Sequence, residues 1–312
     1  MELLDECLKL CGITATDYKK IGRAAYYIES VEDEQYVLKL QPPCGGGLSA
    51  IARRVFGGSL PFQNEYIINK QLLDIDRELL WFPEMINGEQ SYYMLFEYIE
   101  CTDLDRDRNR SMLNQWLLSD LINFNVLIDC NITNIFARTV LEYLERPVFR
   151  IVRQTITGRH TLFQRMNIIF ILLKFYVRQK RLKPIMLHND LSFSNAMATP
   201  NGGLLLIDFE DSIFENRLLL CDAVDLLFDR SNLTLDMPVL IKYWNILSSR
   251  LGQVEKMLNM KWQVRICCMR HIMNSIYNPD FTDAEHSRYR QFLNDVLLDN
   301  NNYDLWYENL LI

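Results

Sequence analysis

The sequence of 312 residues lacks several features that would narrow its function at once. None of its eight cysteines belongs to a Cys-x-x-Cys pair, which speaks against a structural zinc site. It has no excess of basic residues: the formal net charge is −7, and an acidic chain is a poor electrostatic partner for nucleic acid. We therefore expect neither a zinc site nor a nucleic-acid partner.

Long uninterrupted hydrophobic runs are also missing. The most apolar stretch, 161–177, contains Gln164, Arg165, Asn167 and Lys174, and is too short and too polar to span a bilayer. We predict a buried helix there and no transmembrane segment. The first residues are acidic, unlike a signal peptide, and the cysteines are scattered through apolar surroundings. These features predict a cytoplasmic protein with reduced thiols.

The chain has the composition of a globular protein, with 49% hydrophobic and 23% charged residues. Segments 24–30, 35–41 and 91–99 are rich in β-branched and aromatic residues, as strands are, and 62–75 has helical spacing. After residue 100 the patterns are mostly helical. We therefore predict an α+β protein with a smaller, β-rich lobe over 1–100 and a larger, mostly helical lobe over 101–312.

Two polar clusters follow short hydrophobic runs in the second half of the chain. "LHNDLSFSN" contains His188, Asp190 and Asn195, and "LLLIDFED" contains Asp208. A strand–loop–strand arrangement would bring Asp190, Asn195 and Asp208 to one edge. Carboxylate and amide oxygens suit Mg²⁺, and a further carboxylate could orient a hydroxyl and accept its proton. The pattern favours phosphoryl transfer.

Phosphoryl transfer also needs a cation on the nucleotide phosphates. Lys39 lies in the apolar strand "YVLKL", and a buried lysine needs a partner. Glu65, on the helix that follows, is the candidate. The alternatives are that Lys39 is a solvent-exposed lysine of an edge strand and that Glu65 is an exposed helix residue.

A family resemblance emerges from these segments. "HNDLSFSN" resembles the His-x-Asp-x-x-x-x-Asn catalytic loop of the protein kinase-like superfamily, and "IDFED" resembles its metal-binding Asp-Phe segment. Lys39 and Glu65 precede them in the matching order. Ser192 stands where protein Ser/Thr kinases carry lysine, and Glu210 replaces the glycine of Asp-Phe-Gly. The chain is therefore similar to the aminoglycoside phosphotransferase and choline kinase branch, which includes sugar and lipopolysaccharide-core kinases.

The resemblance implies a two-lobed kinase-like fold that uses ATP and Mg²⁺ and phosphorylates a hydroxyl of a small-molecule or saccharide acceptor. In this interpretation Lys39 holds the α- and β-phosphates, Glu65 orients it, and Asp190 deprotonates the acceptor. The implied sites are Gly22, Lys39, Glu65, Glu97 and Ile99 for the nucleotide, Asn195 and Asp208 for the metal, His188 and Asp190 in the catalytic loop, and Glu210, Asp222 and Asp225 as supporting residues.

Some positions depart from the family pattern. The loop that covers the nucleotide should be glycine-rich, yet "KKIGRAAYYI" offers only Gly22, and no P-loop motif occurs elsewhere. Asn189 stands where the phosphotransferases often have glycine. His188 has two open interpretations, direct chemistry or packing that supports the loop.

The segment 41–61 has two glycine clusters around Arg53 and Arg54. Two interpretations stay open: a lid whose arginines contact the acceptor or the phosphoryl group, or a solvated insertion. For the whole chain, a protein kinase and an inactive pseudokinase that acts as a binding module remain the alternative functions.

Overall fold

The computed structural model of the protein describes residues 2–22, 24–41, 61–72, 83–89, 93–102, 104, 110–127, 147–179, 182, 185–200, 203–252 and 257–312. The chain divides into two compact units. The first comprises Met1–Trp116 and Phe193–Ser212, and the second comprises Leu117–Ser192 and Ile213–Ile312. The boundary at residue 100 stays a prediction.

The strands are β1 (Ala15–Lys20), β2 (Ala25–Ser30), β3 (Gln35–Leu40), β4 (Met85–Glu89), β5 (Tyr93–Glu97), β6 (Ile185–Leu187), β7 (Ala196–Ala198), β8 (Leu204–Leu206), β9 (Ile213–Asn216), β10 (Phe228–Asp229) and β11 (Thr234–Leu235). The helices are α1 (Glu2–Leu10), α2 (Pro61–Leu72), α3 (Arg110–Trp116), α4 (Ile122–Leu127), α5 (Pro147–Thr157), α6 (Leu162–Gln179), α7 (Cys221–Leu227), α8 (Met237–Arg250), α9 (Met257–Ile276), α10 (Asp283–Phe292) and α11 (Asn300–Asn309). Single π-helical turns follow α3 and α10, at Leu117–Leu121 and Leu293–Leu297.

The first unit contains an antiparallel five-stranded sheet in the order β1-β2-β3-β5-β4. Strands β2, β3 and β5 are the three that the sequence predicts. The other two were missed because their sequences lack a strand pattern: β1 is polar and mostly exposed, and β4 contains Asn87 and Gly88. The sheet packs its buried side chains against α1, whose Leu4, Cys7 and Leu8 are buried.

A short hairpin completes the first unit. Strands β7 and β8 pair antiparallel, and Thr102 forms an antiparallel bridge with Ala198, the last residue of β7. The 3₁₀ turn Phe209–Asp211 that follows β8 packs against α2. This contact places the end of the hairpin beside the helix that carries Glu65.

The second unit is mostly helical, as predicted for the larger lobe. Its strand β6 pairs with β9, whereas β8 pairs with β7. The simple strand–loop–strand arrangement of the two polar clusters is therefore wrong in detail, because the strands that precede them belong to separate two-stranded sheets. No sequence pattern indicates this pairing, since all four strands are only three or four residues long.

The prediction of a helix over 161–177 is confirmed by α6, but the prediction that it is buried is wrong. Its inner face, with Ile168, Ile171 and Phe175, is buried where α6 packs against α5 and α9. Its opposite face is exposed. The helix is apolar on both sides, so its sequence could not indicate which side is covered. Among the described residues no helix is long and apolar enough to cross a membrane.

Candidate active site

Lys39 is the centre of a charged cluster in the first unit. It lies on β3, the central strand of the sheet, between Ala25 of β2 and Met94 of β5. Its Nζ forms an ion pair with the carboxylate of Glu65 and lies 2.6 Å from Oδ1 of Asp208. The Lys39 side chain is 18% exposed, so the interpretation as a solvent-exposed edge lysine does not hold.

Glu65 reaches Lys39 because it belongs to the buried face of α2. That face recurs with helical spacing through Phe62, Ile68 and Leu72, which are all buried. Burial raises the pKa of Glu65 to about 7, although the ion pair with Lys39 opposes this shift. Glu65 is therefore the predicted partner of the buried lysine, but with a pKa of about 7 its carboxyl group loses its proton only near neutral pH.

Lys39 itself stays protonated and positively charged. Burial alone would lower the pKa of Lys39, but the carboxylates of Glu65 and Asp208 outweigh that effect and raise it. Lys39 therefore presents a permanent positive charge at the place where the carboxylates meet.

The β7–β8 hairpin explains why Asn195 and Asp208 lie at the same end of the two strands. Ala196 pairs with Leu206, and one step further the backbone NH of Ile207 donates to the carbonyl of Asn195 at 3.1 Å. Asp208 follows immediately. Its backbone is left-handed, with φ of 66° and ψ of 65°, a conformation that aspartate tolerates better than most residues.

Three carboxylates gather beside Lys39. One oxygen each from Glu65, Asp208 and Glu210 lies within 4.8 Å of the others. Oxygen-only ligands at this spacing suit a hard divalent cation such as Mg²⁺. Asp208 was predicted as a metal ligand, whereas Glu65 and Glu210 were predicted in other roles. Asn195, the second predicted ligand, is buried in the same hairpin.

The first part of the predicted catalytic loop, including His188 and Asp190, follows β6 and belongs to the second unit, whereas Asn195 belongs to the first. The carboxylate of Asp222 accepts the backbone NH of His188 at 2.8 Å and that of Asn189 at 2.9 Å. Asn125 donates to the carbonyl of Met186 at 2.6 Å and also contacts Asp222. Backbone groups just before Asp190 are therefore held by buried side chains of α4 and α7.

Arg270 holds the same loop from another side. This buried arginine of α9 donates to the carbonyl of Asn189 and forms an ion pair with Asp225. The other oxygen of Asp225 lies 2.8 Å from Nδ1 of His271. Burial would raise the pKa of Asp225, but the positive charge of Arg270 and the contact with His271 lower it overall. Asp225 therefore stays ionised.

Asn189 has a backbone φ of 66°, in the left-handed region. Glycine is favoured there, and asparagine is one of the few other residues that tolerate it. The departure from the family's glycine is thus compatible with the same backbone. The Asn189 side chain adds a contact that glycine lacks, because its Oδ1 accepts from Arg270 at 3.1 Å.

Sequence reasoning missed Asn125, Arg270 and His271. For Arg270 and His271 a signal was present, since "CCMRHIM" places an arginine and a histidine in an otherwise apolar segment, the same pattern that singled out Lys39. Cys267 and Cys268 of the same helix are buried.

A pocket of about 150 Å³ lies within the second unit, with Asp190 in its wall. The lining is mostly polar, and it includes Asp190, Ser192, Arg230, Asn274, Asn278 and Phe281. Arg230 Nε contacts His271 at 3.3 Å, and its guanidinium lies 5.5 Å from the centre of the Phe281 ring. The pocket therefore offers hydrogen-bonding groups beside the predicted catalytic aspartate.

The remaining predicted residues are placed as follows. Gly22 lies in the β1–β2 turn, where its NH donates to the carbonyl of Ala25. The Glu97 carboxylate, at the end of β5, accepts the backbone NH of Glu84 at 3.0 Å, and Ile99 follows that strand.

His188 is fully buried, with its ring 6.4 Å from that of Phe124. This position favours the interpretation as a packing residue that supports the loop. Arg53 and Arg54 lie outside the described residues, so the lid interpretation stays a prediction.

No protein-family model and no curated protein matches the chain. Solved structures do. The choline kinase LicA from Streptococcus pneumoniae is similar over 94% of this chain and 98% of its own, with 16% identity and a TM-score of 0.61. The likeness shows that the chain has a protein kinase-like fold. The similar structures include a choline kinase and several aminoglycoside phosphotransferases.

Two of those phosphotransferases illustrate the range. A thermostable mutant of aminoglycoside phosphotransferase APH(4)-Ia, solved with ADP and hygromycin B, covers 96% of this chain and 98% of its own, with 13% identity and a TM-score of 0.58. An aminoglycoside phosphotransferase from Alicyclobacillus acidocaldarius covers 95% and 93%, with 13% identity and a TM-score of 0.54. At such identities the likeness establishes the kinase-like fold, and the chemistry has to be argued from the side chains.

Proposed function

We propose that this kinase-like protein is a cytoplasmic phosphotransferase that moves the γ-phosphate of ATP to a hydroxyl of a small molecule or saccharide. The observation that carries the proposal is the cluster in which Lys39 meets Glu65 and Asp208. A scaffold has no need of a charged lysine held between two carboxylates on a central strand. A kinase that uses ATP needs such a cation to bind the phosphates.

In the proposed mechanism Lys39 binds the α- and β-phosphates, and Glu65 fixes the direction of its side chain. The backbone around Glu97 and Ile99 receives the adenine, and the turn at Gly22 covers the phosphates. These roles follow the family resemblance. They are supported by the position of Lys39 on the same sheet that carries the turn and the end of β5.

Mg²⁺ fits the carboxylates beside Lys39. Glu65, Asp208 and Glu210 bring more negative charge than Lys39 neutralises, and they offer only oxygen atoms. We propose Asp208 and Asn195 as the ligands, with Glu210 in support. When bound, the ion would neutralise charge on the transferring phosphoryl group.

Asp190 is proposed as the group that orients the acceptor hydroxyl and takes its proton. General-base catalysis depends on placing a carboxylate within hydrogen-bond reach of the hydroxyl. The backbone next to Asp190 is held by Asp222 and by Arg270. These two residues would act by positioning, since neither needs to touch the substrate.

The pocket beside Asp190 supports a small-molecule acceptor over a protein acceptor. Its polar lining places hydrogen-bonding side chains beside Asp190, and its volume of about 150 Å³ limits the part of the acceptor that enters to a compact group such as one sugar ring. The similar structures include proteins described as a choline kinase and as complexes with kanamycin or hygromycin B. A sugar hydroxyl is our first candidate, because Asn274, Asn278 and Ser192 offer neutral hydrogen-bonding groups.

One observation favours the pseudokinase alternative. The β1–β2 turn has a single glycine, whereas backbone NH groups need to come close to the phosphates. An assay of acceptor-dependent ADP release separates the two functions, using monosaccharides, choline and kanamycin with Mg-ATP. We expect release that depends on one acceptor and that is lost in Asp190→Asn. ATP binding without release for any acceptor would favour the pseudokinase.

A further inference from the structure

The outward face of α6 is unusually apolar for a surface helix. Phe163 is 80% exposed, and Leu162 and Val177, at the two ends, are 77% and 73% exposed. Monomeric proteins rarely leave a contiguous apolar patch of this kind in water. The α6 stripe consists of Leu162, Phe163, Met166, Ile169, Phe170, Leu173, Tyr176 and Val177, all of which are exposed.

The spacing of these residues makes them one continuous surface. They recur every three or four positions, so they lie along one side of α6, opposite the buried Ile168 and Phe175. At 1.5 Å per residue the stripe is roughly 22 Å long. The neighbouring helix α5 adds exposed Phe149 and Ile156, with exposed Arg153 on the same helical face.

The segment of the chain that carries the stripe has charge of one sign. Between Glu145 and Asp190 the sequence carries ten arginine or lysine residues and no aspartate or glutamate, although the whole chain has a net charge of −7. Arg153, Lys174 and Arg178 are exposed there. Lys174 marks the border of the stripe, with its Nζ 4.3 Å from the centre of the Phe170 ring.

We propose that the α6 stripe and its basic surroundings bind the surface of a membrane that contains anionic lipids. A helix lying in the interface buries its apolar side chains at the boundary between headgroups and acyl chains. Flanking arginine and lysine residues are attracted by the negative headgroups. The helix lies on the membrane and does not cross it, which agrees with the absence of a membrane-spanning helix among the described residues.

Other occupants match only half of these features. A second copy of this chain would cover the apolar residues, but it would bring two sets of like charges together. Nucleic acid would satisfy the charges, but phosphates would leave Leu, Met and Val side chains exposed to water. Anionic lipid satisfies both features, and this complementarity decides between the three.

The test is co-sedimentation of the full-length protein with vesicles. We expect binding to vesicles of phosphatidylglycerol mixed with phosphatidylcholine, and much weaker binding to phosphatidylcholine alone. The triple change Phe163→Ser, Phe170→Ser and Val177→Ser should weaken binding at least about tenfold, since each residue loses apolar area that the membrane would bury. The changes Arg153→Gln and Lys174→Gln should each weaken vesicle binding by about fivefold, because each removes one positive charge.

A matched control replaces exposed apolar residues elsewhere. Leu10 and Leu305 are each 60% exposed, and changing both to serine should leave vesicle binding unchanged. Thermal unfolding of every variant should match the wild type, because surface changes of this kind cost little stability. The proposal is overturned if the wild type does not sediment with anionic vesicles, or if the triple variant binds as the wild type does. Self-association that the triple variant abolishes, without vesicle binding, would assign the stripe to a second copy instead.

Discussion

Two charged clusters, one around Lys39 and one around Arg270, combine similar residue types but differ in how their charges balance. In the first unit Lys39 meets Glu65, Asp208 and Glu210, and the Asp208 side chain is 35% exposed. In the second unit Arg270 and His271 meet Asp225 in a buried cluster, and Arg270 also bonds the backbone next to Asp190. The first cluster has negative charge left over to attract a cation, whereas the charge of Asp225 in the second is neutralised by Arg270. We infer that the first takes up a ligand and that the second holds a loop.

The largest effect should come from breaking the second cluster. Arg270→Met leaves Asp225 ionised in a buried place without its main counter-charge, which typically costs about 3–5 kcal/mol. Chemical denaturation of the variant should show that loss in the free energy of unfolding. Arg270→Lys serves as the comparison, since it keeps the charge but cannot bond Asp225 and Asn189 together, and it should recover part of the stability. Wild-type stability in Arg270→Met would contradict the division into two kinds of cluster.

The matching change in the first cluster should affect binding instead of folding. Lys39→Met should lower the free energy of unfolding by less than about 2 kcal/mol, because Glu65 can take up a proton when its partner is removed. Mg-ATP at about 100 times its dissociation constant should stabilise the wild type by about 2.7 kcal/mol, and the variant should lose this stabilisation. A thermal-shift series with and without ligand measures both quantities. A variant that responds to Mg-ATP as the wild type does would remove Lys39 from the nucleotide site.

A third prediction concerns pH. The folded-state pKa of Glu65 is about 7, above its ordinary value of 4.5. A raised pKa means that the folded state binds the proton more tightly than the unfolded state does. The stability that protonated Glu65 contributes to folding is therefore fully present below pH 4.5 and is lost as the pH rises through 7. This group alone should account for about 3 kcal/mol over that interval. Glu65→Gln, which cannot titrate, should lack this slope when unfolding is followed by denaturant at several pH values. An identical slope in both proteins would show that Glu65 is not the group responsible.

The smallest effect should separate backbone shape from side-chain bonding at Asn189. Asn189→Ala puts a residue that disfavours φ of 66° into that conformation and should cost about 1 kcal/mol or more. Asn189→Gly removes that strain while it also loses the side-chain contact with Arg270, and it should be the more stable of the two. Unfolding midpoints in the opposite order would show that the side-chain bond outweighs the backbone.

The sequence predicted which charged residues of apolar segments belong to the candidate site better than it predicted the residues that contact them. Lys39 and Asp208 were found because a charge in an apolar strand or beside a motif is conspicuous, and the structure brings them together. Asn125 was missed because it contacts the loop from a distant part of the chain, and no local pattern encodes such a contact. Arg270 was missed although its charge stands in an apolar segment, because the sequence does not show which loop it contacts. The strands β1 and β4 were missed because their place in the sheet depends on partners and not on their own composition.

The exposed face of α6 shows the same limit. Its eight outward residues have the composition of a core, so the sequence predicted burial. Only the packing of α6 on α5 and α9 shows that one face is covered and the other is not.

Calorimetric titration of ATP in the presence of Mg²⁺ into three proteins shows whether the Lys39 cluster binds a magnesium nucleotide. We expect binding to the wild type and to Asp190→Asn, because this change removes the proposed base and leaves the carboxylates beside Lys39 intact. We expect a loss of magnesium-dependent binding in Asp208→Ala. No binding to the wild type, or binding that Asp190→Asn abolishes and Asp208→Ala keeps, would contradict this assignment.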